Sequence, residues 1–230
     1  MPTLHAPAAV IDRARAGFPA WHAARLKRVT EPAGNLALVE TIWDARVEDH
    51  PGSVPIERRD LRTGAVHHGV RRFDADSPAN RHFETIDVYP FDPDWVVEAR
   101  FVPHDPPRLV AFEHLRDNGL TRDLAVPGDI LFTRGGVDYA FDAFDDEGTL
   151  LLVFGDETNG ITTYGAGRFL IVPREPGDDR VVLDFNRAYV PPCGFSGQYN
   201  CPMPPRQNRF RRAVLAGEKQ PLFRDGFQVH

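Results

Sequence analysis

The chain has 230 residues, 42% of them hydrophobic, so it can bury one sizeable core, and we expect a single domain over residues 1–230. Its formal charge of -6 comes from interspersed acidic and basic residues, which argues against a nucleic-acid partner. No apolar run approaches the roughly 20 residues of a membrane span, and the N-terminus has no signal-peptide pattern. The sequence therefore predicts a cytoplasmic protein with no membrane partner.

The N-terminal part of the chain predicts helices, and the rest predicts short strands. Residues 8–15 and 18–29 have helical periodicity, and a stop signal at residues 31–34 ends a helical segment that we place at 1–33. From residue 36 onwards, β-branched and aromatic runs alternate with clusters of Gly, Pro and Asp. These runs predict a β domain over residues 36–230, with its first strands at 36–43, 54–59, 65–73 and 95–102.

A β-hairpin is the clearest local pattern. Apolar and polar residues alternate from residue 137 to 143, a turn is expected at 145–148, and residues 149–154 return the chain. Two further strands are expected at 168–173 and 181–185, joined by a turn at 174–179. Because no strand–helix–strand alternation follows residue 36, the fold class predicted is mainly β, an antiparallel β-sandwich or open barrel with N-terminal helices packed against it.

A long loop at residues 186–208 contains both cysteines of the chain. Loops of this length inside a compact domain are often functional, and the aromatic residues in this one favour order. Cys193 and Cys201 are close enough in sequence to be bridged, but a cytosol would keep them reduced, so we expect two buried thiols. A zinc site needs about four ligands, and no histidine lies between Cys193 and Gln228. We therefore assign no metal and leave any cofactor unknown.

The region around this loop resembles a known family. In order along the chain, the residues that carry the resemblance are Asp156, Thr158, Gly160, Thr163, Tyr164, Gly165, Arg168, Asp184, Phe185, Asn186, Ala188, Tyr189, Pro191, Pro192, Cys193, Cys201, Pro202, Pro204, Pro205, Asn208, Gly217, Glu218 and Lys219. They resemble the signature of an uncharacterised, mostly bacterial family, the domain of unknown function 1684 family. The resemblance covers roughly the C-terminal third of the chain and implies no activity.

The N-terminal part of the chain departs from the same family. Family members typically have a Trp-Arg-x-x-Arg helix, whereas this chain has Trp21, His22 and Arg25 at the corresponding positions. If that helix contributes to a site in the family, the resemblance implies that the site is altered here.

Polar residues in the resembling segments predict a candidate site. Strands that follow one another in the chain tend to lie side by side, so the polar groups at their ends should converge. We expect catalytic roles for Asp156, Asp184, Lys219 and Tyr164. We expect ligand-binding roles for Arg168, Asn186, Tyr189, Thr158, Thr163 and Glu218. Carboxylates supply a base, hydroxyl groups donate protons and cations orient an anionic group. This set predicts an acid/base enzyme with a β-barrel pocket for a small polar or carboxylated molecule.

Each of these residues also has a structural interpretation. Asp and Asn in turns often accept backbone hydrogen bonds, and Arg168 can pair with Glu218 to hold the fold together. Two further hypotheses therefore stay open beside the enzyme: a non-catalytic module for ligand binding or assembly, and a motif that is purely structural. A homo-oligomer is compatible with all three.

Overall fold

A computed structural model describes residues 6–117, 121–146, 148–175 and 177–229. The remaining residues include the start of the predicted segment 1–33, Glu147 of the predicted turn at 145–148, and Pro176 of the predicted turn at 174–179, which therefore lie outside the described residues.

The N-terminal helix α1, Ala8–Thr30, is continuous across Pro19, whereas the sequence predicts two separate segments. Proline removes one intrahelical hydrogen bond and usually kinks a helix. Here the helix is packed on both sides of the proline, because Ala14 and Val29 are buried in two different hydrophobic clusters. Tertiary contacts thus hold both halves in one helix. The chain leaves the helix just before Pro32, which disfavours helical geometry at the residue that precedes it.

Most of the regular secondary structure beyond α1 consists of β-strands. In chain order they are β1 Leu38–Trp43, β2 Val54–Arg59, β3 Val66–Phe73, β4 Phe83–Val88, β5 Val96–Glu113, β6 Thr121–Arg134, β7 Val137–Asp146, β8 Thr149–Phe154, β9 Arg168–Val172, β10 Arg180–Asp184 and β11 Glu218–Phe223, with a short helix α2, Pro78–His82, before β4.

Strands β5 to β10 form one six-stranded antiparallel sheet in the order β10–β5–β6–β7–β8–β9. The two outer strands, β9 and β10, approach each other, so the sheet curls into a nearly closed barrel. The predicted hairpin is formed by β7 and β8, with Phe144 paired to Leu151. The predicted mainly β, antiparallel, open-barrel fold is confirmed, with a single N-terminal helix in place of the helices expected.

Strands β5 and β6 form a long pair that the sequence does not predict. The first of these strands is predicted to end at residue 102, because Pro103, Pro106 and Pro107 interrupt the pattern and proline disfavours strands. The second, β6, has no predicted counterpart. The structure accommodates these prolines at an irregularity, where the pairing between β5 and β6 breaks after Pro103 and resumes at Arg108. Beyond it, the two strands continue as an extension of the barrel.

The barrel interior is filled by aromatic side chains. Phe210, from the irregular C-terminal segment, lies with its ring centroid 4.9–5.9 Å from six other rings, those of Trp95, Phe132, Tyr139, Phe141, Phe154 and Phe185. Each buried aromatic side chain contributes about 1.5–3 kcal/mol relative to exposure. The inside of the barrel is therefore a packed core.

A second sheet, with the strand order β1–β3–β2, lies beside the barrel extension; we call it the small sheet. The cysteine-containing loop joins it to the barrel. The Ser196 hydroxyl donates to the Leu38 carbonyl at 2.6 Å, and the Thr41 amide and hydroxyl donate to side-chain and backbone oxygens of Gln198 at 3.1 Å. The long loop is thus ordered, as predicted, and spans two sheets. Strands β4 and β11 form a separate two-stranded sheet.

The described helices include none that is both long and apolar enough to cross a membrane.

Gly217, just before β11, provides a direct test of how tightly the C-terminal segment is packed. Its φ is +78°, and an added Cβ would lie 2.6 Å from the Ala188 carbonyl oxygen and 2.7 Å from that of Phe185. Gly226 has a similar φ of +67° but open space around it. We expect Gly217→Ala to lower the free energy of unfolding by about 3 kcal/mol, because backbone strain and overpacking add, and Gly226→Ala by about 1 kcal/mol. Urea denaturation measures both. Equal losses would contradict the packing described here.

Candidate functional site

Arg168, the first residue of β9, lies at the centre of a buried polar cluster. Its side chain is 0% exposed. Nη1 donates to the carbonyl oxygens of Ala216 and Glu218 at 2.5 and 3.2 Å. Nη2 donates to Asp156 Oδ2 and to the Val214 carbonyl oxygen, both at 2.8 Å. The guanidinium group therefore binds one carboxylate and three backbone carbonyls of the C-terminal segment.

Asp156 is equally enclosed, and its second carboxylate oxygen is also occupied. Oδ1 accepts hydrogen bonds from the Thr158 amide at 2.8 Å, the Thr158 hydroxyl at 2.5 Å and the Val214 amide at 3.2 Å. The Thr158 hydroxyl lies 2.7 Å from the Thr163 hydroxyl, and both threonines are buried. Both carboxylate oxygens of Asp156 are hydrogen-bonded within the cluster, so the carboxylate has no exposed oxygen with which to contact a substrate. The Arg168 Nε is buried without a hydrogen-bond partner among the described residues.

The opposite charges of Arg168 and Asp156 pair with each other in a buried environment. Burial lowers the pKa of the Arg168 guanidinium, and the adjacent Asp156 carboxylate opposes that shift. Arginine nevertheless stays protonated in proteins, so the cluster is an ion pair. Removing one partner of a buried pair typically costs about 3–5 kcal/mol, because the other charge is left uncompensated. These properties are those of a structural clamp.

A second buried ion pair joins α1 to β11. Arg25 Nε and Nη2 donate to the two carboxylate oxygens of Glu218 at 2.8 and 3.0 Å, and the Glu218 side chain is 0% exposed. Glu218 Oε2 also accepts from the Val190 amide at 2.8 Å. The Arg25 guanidinium lies 4.8 Å from the ring centroid of Tyr189. Glu218 thus pairs with Arg25, while Arg168 contacts only its backbone, in contrast to the Arg168–Glu218 pair considered from the sequence.

Asp184 and Asn186 form a third group at the end of β10. The Asn186 side chain accepts from the Asp92 amide at 2.8 Å and donates to the Asp92 carbonyl at 3.0 Å. It thus forms the two hydrogen bonds that the backbone of a neighbouring strand would otherwise form. Asp184 Oδ1 accepts from the Asn186 amide and side chain at 3.2 and 3.0 Å. Burial raises the pKa of the Asp184 carboxyl, and Arg187, 3.2 Å away, counteracts that shift.

The side chains of Tyr164 and Lys219 have different partners, although the Tyr164 amide donates to the Lys219 carbonyl at 2.8 Å. The Tyr164 hydroxyl donates to the Cys193 carbonyl at 3.0 Å, and burial raises its pKa well above the usual range, so the phenol stays protonated. Lys219 Nζ lies 3.0 Å from Asp87 Oδ2, with 27% of the lysine side chain exposed. Lys219 is therefore half-buried at the surface and ion-paired.

The side chains of the ten residues expected to form one site thus fall into several groups. The structure brings together Asp156, Thr158, Thr163 and Arg168, places Glu218 and Tyr189 around Arg25, and pairs Asp184 with Asn186. The side chains of Tyr164 and Lys219 have separate partners, but hydrogen bonds to backbone carbonyls link Arg168 to Glu218 and Tyr164 to Lys219. Arg25, the partner of Glu218, was not assigned to the site from the sequence. The signal that could have identified it is its place in the Trp21–Arg25 stretch, where the resemblance retains the second arginine of the family's helix.

Three cavities open around the small sheet, and none of the ten residues lines any of them. One, which we call the arginine groove, has a volume of about 560 Å³ and lies between the β2–β3 turn and the extension of β5 and β6. Its lining residues are Arg58, Arg59, Asp60, Leu61, Arg62, Thr63, His114, Thr121, Arg122, Asp123 and Leu124. The run of arginines at 58–62 was a signal in the sequence, but its convergence with β6 depends on the fold.

The arginines of this groove differ in how they are paired. Arg62 forms a bidentate ion pair with Asp123 at 2.7 and 2.9 Å, and Arg122 pairs with Asp117. Within the described ranges, Arg58 and Arg59 have no carboxylate partner. The Arg58 guanidinium lies 4.9 Å from the ring centroid of Trp43, and Arg59 donates at 3.5 Å to the Gly64 carbonyl. Among the residues that the structure describes, the groove therefore contains two cations without a carboxylate partner.

His114 lines the arginine groove from the barrel side. The residue is 6% exposed, and Nδ1 lies 3.2 Å from the Phe112 carbonyl oxygen. A donor at Nδ1 leaves Nε2 as the acceptor of a neutral ring, a tautomer that we assign from this contact. Burial lowers the pKa of the His114 ring. The imidazole is therefore uncharged at neutral pH.

No group of three or more His, Cys, Asp or Glu side chains that could hold a metal ion is found in the part of the chain that the structure describes.

The Glu218 pair gives a test of the structural role of the family signature. Glu218→Gln keeps an acceptor for the Val190 amide but leaves the Arg25 charge buried without a counter-charge, so we expect a loss of about 3–5 kcal/mol of stability. Glu40→Gln is the matched control, because Glu40 accepts from Arg72 at 3.0 Å with both side chains exposed, and should cost at most about 1 kcal/mol. Urea denaturation compares the two variants. A loss at Glu218 no larger than that at Glu40 would contradict the clamp.

His114 predicts a pH dependence of stability with a definite sign. Because its folded-state pKa is lowered, the unfolded chain binds a proton more readily than the folded one. The stability that depends on neutral His114 is fully present above about pH 6.5, the ordinary histidine value, and is lost as the pH falls through the folded-state pKa. We expect His114→Gln to reduce the decrease in stability below pH 6.5, measured by urea denaturation as a function of pH. An unchanged pH profile would show that His114 does not contribute.

The comparison with protein-family models agrees with the sequence resemblance. The family model described as "Protein of unknown function (DUF1684)" matches residues 81–219. An uncharacterised protein of Haloarcula marismortui, with a structure solved by solution NMR, is 32% identical; the alignment covers 60% of this chain and 77% of that one, with a TM-score of 0.49. No curated protein matches. The family match includes Asp156, Arg168, Glu218 and one wall of the arginine groove, whereas Arg25 and the groove wall at residues 58–63 precede it. This chain therefore belongs to the DUF1684 family of proteins of unknown function.

Proposed function

We propose that this protein is a binding protein for a small organic anion that carries carboxylate or phosphate groups, and that the anion binds in the arginine groove. The observation that carries the proposal is the pair Arg58 and Arg59, two cations without carboxylate partners among the described residues, in a groove of about 560 Å³. A cytoplasmic location, expected from the sequence, stays a prediction.

The charge of the groove favours anions over other ligands. Its lining contains four arginines and two aspartates, although the chain as a whole has a formal charge of -6. A concave surface of one sign concentrates its field and attracts ligands of the opposite sign. Guanidinium groups also match the planar geometry of carboxylate and phosphate oxygens, which they bind through paired hydrogen bonds.

The size and composition of the groove suit a small molecule. Ligand sites usually have volumes of about 300–1,000 Å³ and combine apolar walls with a few polar groups. Leu61 and Leu124 supply apolar surface, and Thr63 and Thr121 supply hydroxyl groups beside the cations. This composition supports a metabolite-sized anion rather than an extended polymer.

An acid/base enzyme is the second candidate, and the observation that favours it is His114. A neutral imidazole on the wall of an anion-binding groove is suited to accept a proton from a bound molecule. The acid/base residues expected from the sequence support this candidate less well, because the carboxylate of Asp156 is enclosed and its hydrogen bonds are satisfied internally. In a binding protein, His114→Gln should retain ligand affinity within a few-fold, since a neutral ring contributes no charge.

Isothermal titration calorimetry with citrate and with inorganic phosphate tests the proposal. A charge-assisted hydrogen bond contributes about 1.5–3 kcal/mol, so we expect Arg58→Ala and Arg59→Ala each to weaken binding by about 10- to 100-fold. Arg180→Ala is the control: it removes the same charge from an exposed position on β10, outside the groove, and should leave the affinity unchanged. Absence of binding to either anion at millimolar concentration, or equal losses in all three variants, would overturn the assignment.

A further inference from the structure

We propose that Cys193 and Cys201 are a redox-active pair, which hydrogen peroxide oxidises to a reversible intramolecular disulfide within the folded protein. This modification site is independent of the anion-binding proposal.

The fold brings the two thiols into direct contact. The Cys193 amide donates to Cys201 Sγ at 3.3 Å, and both side chains belong to the same buried cluster at the barrel extension. Both cysteines are unbridged. A disulfide requires the two cysteines to be close, and the hydrogen bond at 3.3 Å from the Cys193 amide to Cys201 Sγ places the Cys201 sulfur beside the Cys193 backbone.

The two thiols are not equivalent, and the difference assigns their roles. A hydrogen bond from the Cys201 thiol lowers the pKa of Cys193 and raises that of Cys201. The thiolate is the reactive form of cysteine, so Cys193 is the residue that attacks an oxidant. Cys201, held against it, is the residue that resolves the product.

The reaction balances with peroxide as the only co-reactant. The Cys193 thiolate attacks one peroxide oxygen, the O–O bond breaks, and the products are a Cys193 sulfenic acid and hydroxide. Cys201 sulfur then attacks the sulfenic sulfur, an S–S bond forms, and the sulfenic oxygen leaves as water after taking up the proton of the Cys201 thiol. Overall, two thiols lose two electrons and two protons, and hydrogen peroxide is reduced to two molecules of water.

The location of the pair explains why a small oxidant is required and what a disulfide would restrain. Cys193 and Cys201 are only 3% and 7% exposed, which excludes a bulky disulfide reagent more than it excludes peroxide. The loop between them contacts the small sheet through Ser196 and Gln198, and the Cys201 carbonyl accepts from the Leu115 amide at 3.0 Å. A bridge would therefore fix the loop that joins the small sheet to the barrel extension.

The test is oxidation of the full-length folded protein by equimolar hydrogen peroxide. After any remaining peroxide is removed, the protein is denatured and its free thiols are alkylated. We expect both cysteines to escape alkylation, the intact mass to fall by two hydrogen atoms, peptide mapping to locate a Cys193–Cys201 crosslink, and dithiothreitol to restore both thiols. Retention of two alkylatable thiols, or separate sulfinic acids on the two cysteines, would overturn the proposal.

Three controls assign the effect to the fold and to the individual residues. The same oxidation of protein already unfolded in guanidinium should give the disulfide more slowly; an equal or higher rate there would overturn the claim that the fold prepares the pair. Cys201→Ser should accumulate a sulfenic acid at Cys193 that dimedone traps. Cys193→Ser should show much less labelling at Cys201, and equal labelling of the two variants would overturn the assigned roles.

Discussion

Two buried arginine–carboxylate pairs hold together the parts of this protein that have no regular secondary structure. Arg168 binds Asp156 and three carbonyl groups of the segment at 214–218, and Arg25 binds the side chain of Glu218 at the end of that segment. A backbone that leaves the sheet must still satisfy its carbonyl and amide groups when it is buried. The two guanidinium groups supply donors where no neighbouring strand is present, so the C-terminal segment can pass over the barrel in an irregular conformation.

The position of that segment determines what the barrel contains. Phe210 precedes the residues that Arg168 holds and inserts among six aromatic rings inside the sheet. Because the barrel interior is packed in this way, a ligand must bind outside it. The three cavities described above lie around the small sheet, and the arginine groove lies where its β2–β3 turn meets β6. The family signature thus builds a scaffold, and we locate the proposed binding function at its edge.

The sequence was sufficient for the features that depend on local pattern. The alternation in β7, the return strand β8 and the stop before Pro32 follow from neighbouring residues, and the structure contains all three. The extension of β5 could not be predicted, because its prolines are tolerated only through a break in the ladder to β6. The continuity of α1 likewise depends on tertiary contacts on both sides of Pro19.

The candidate site shows the same division between local and distant information. Asp156, Thr158, Thr163 and Arg168 are close in sequence, and they lie together in the structure. Their chemical state was not predictable, because it depends on burial and on carbonyl groups some 46–50 residues away from Arg168. The Arg25–Glu218 pair joins residues 193 positions apart, and the groove combines residues 58–63 with His114 and residues 121–124. A pattern of neighbouring residues in the sequence does not show which distant residues will pair.

Native-state hydrogen exchange at two backbone amides tests most directly whether the two buried ion pairs fix the C-terminal segment. The Val190 amide donates to Glu218 Oε2, and the Val214 amide donates to Asp156 Oδ1, although both residues lie outside the strands. If the buried ion pairs fix this segment, both amides should exchange only through global unfolding, with the same free energy of opening as the amide of Phe141 in the barrel core. Exchange through local opening at a much lower free energy, as in an ordinary surface loop, would contradict the structural role that we assign to the family signature.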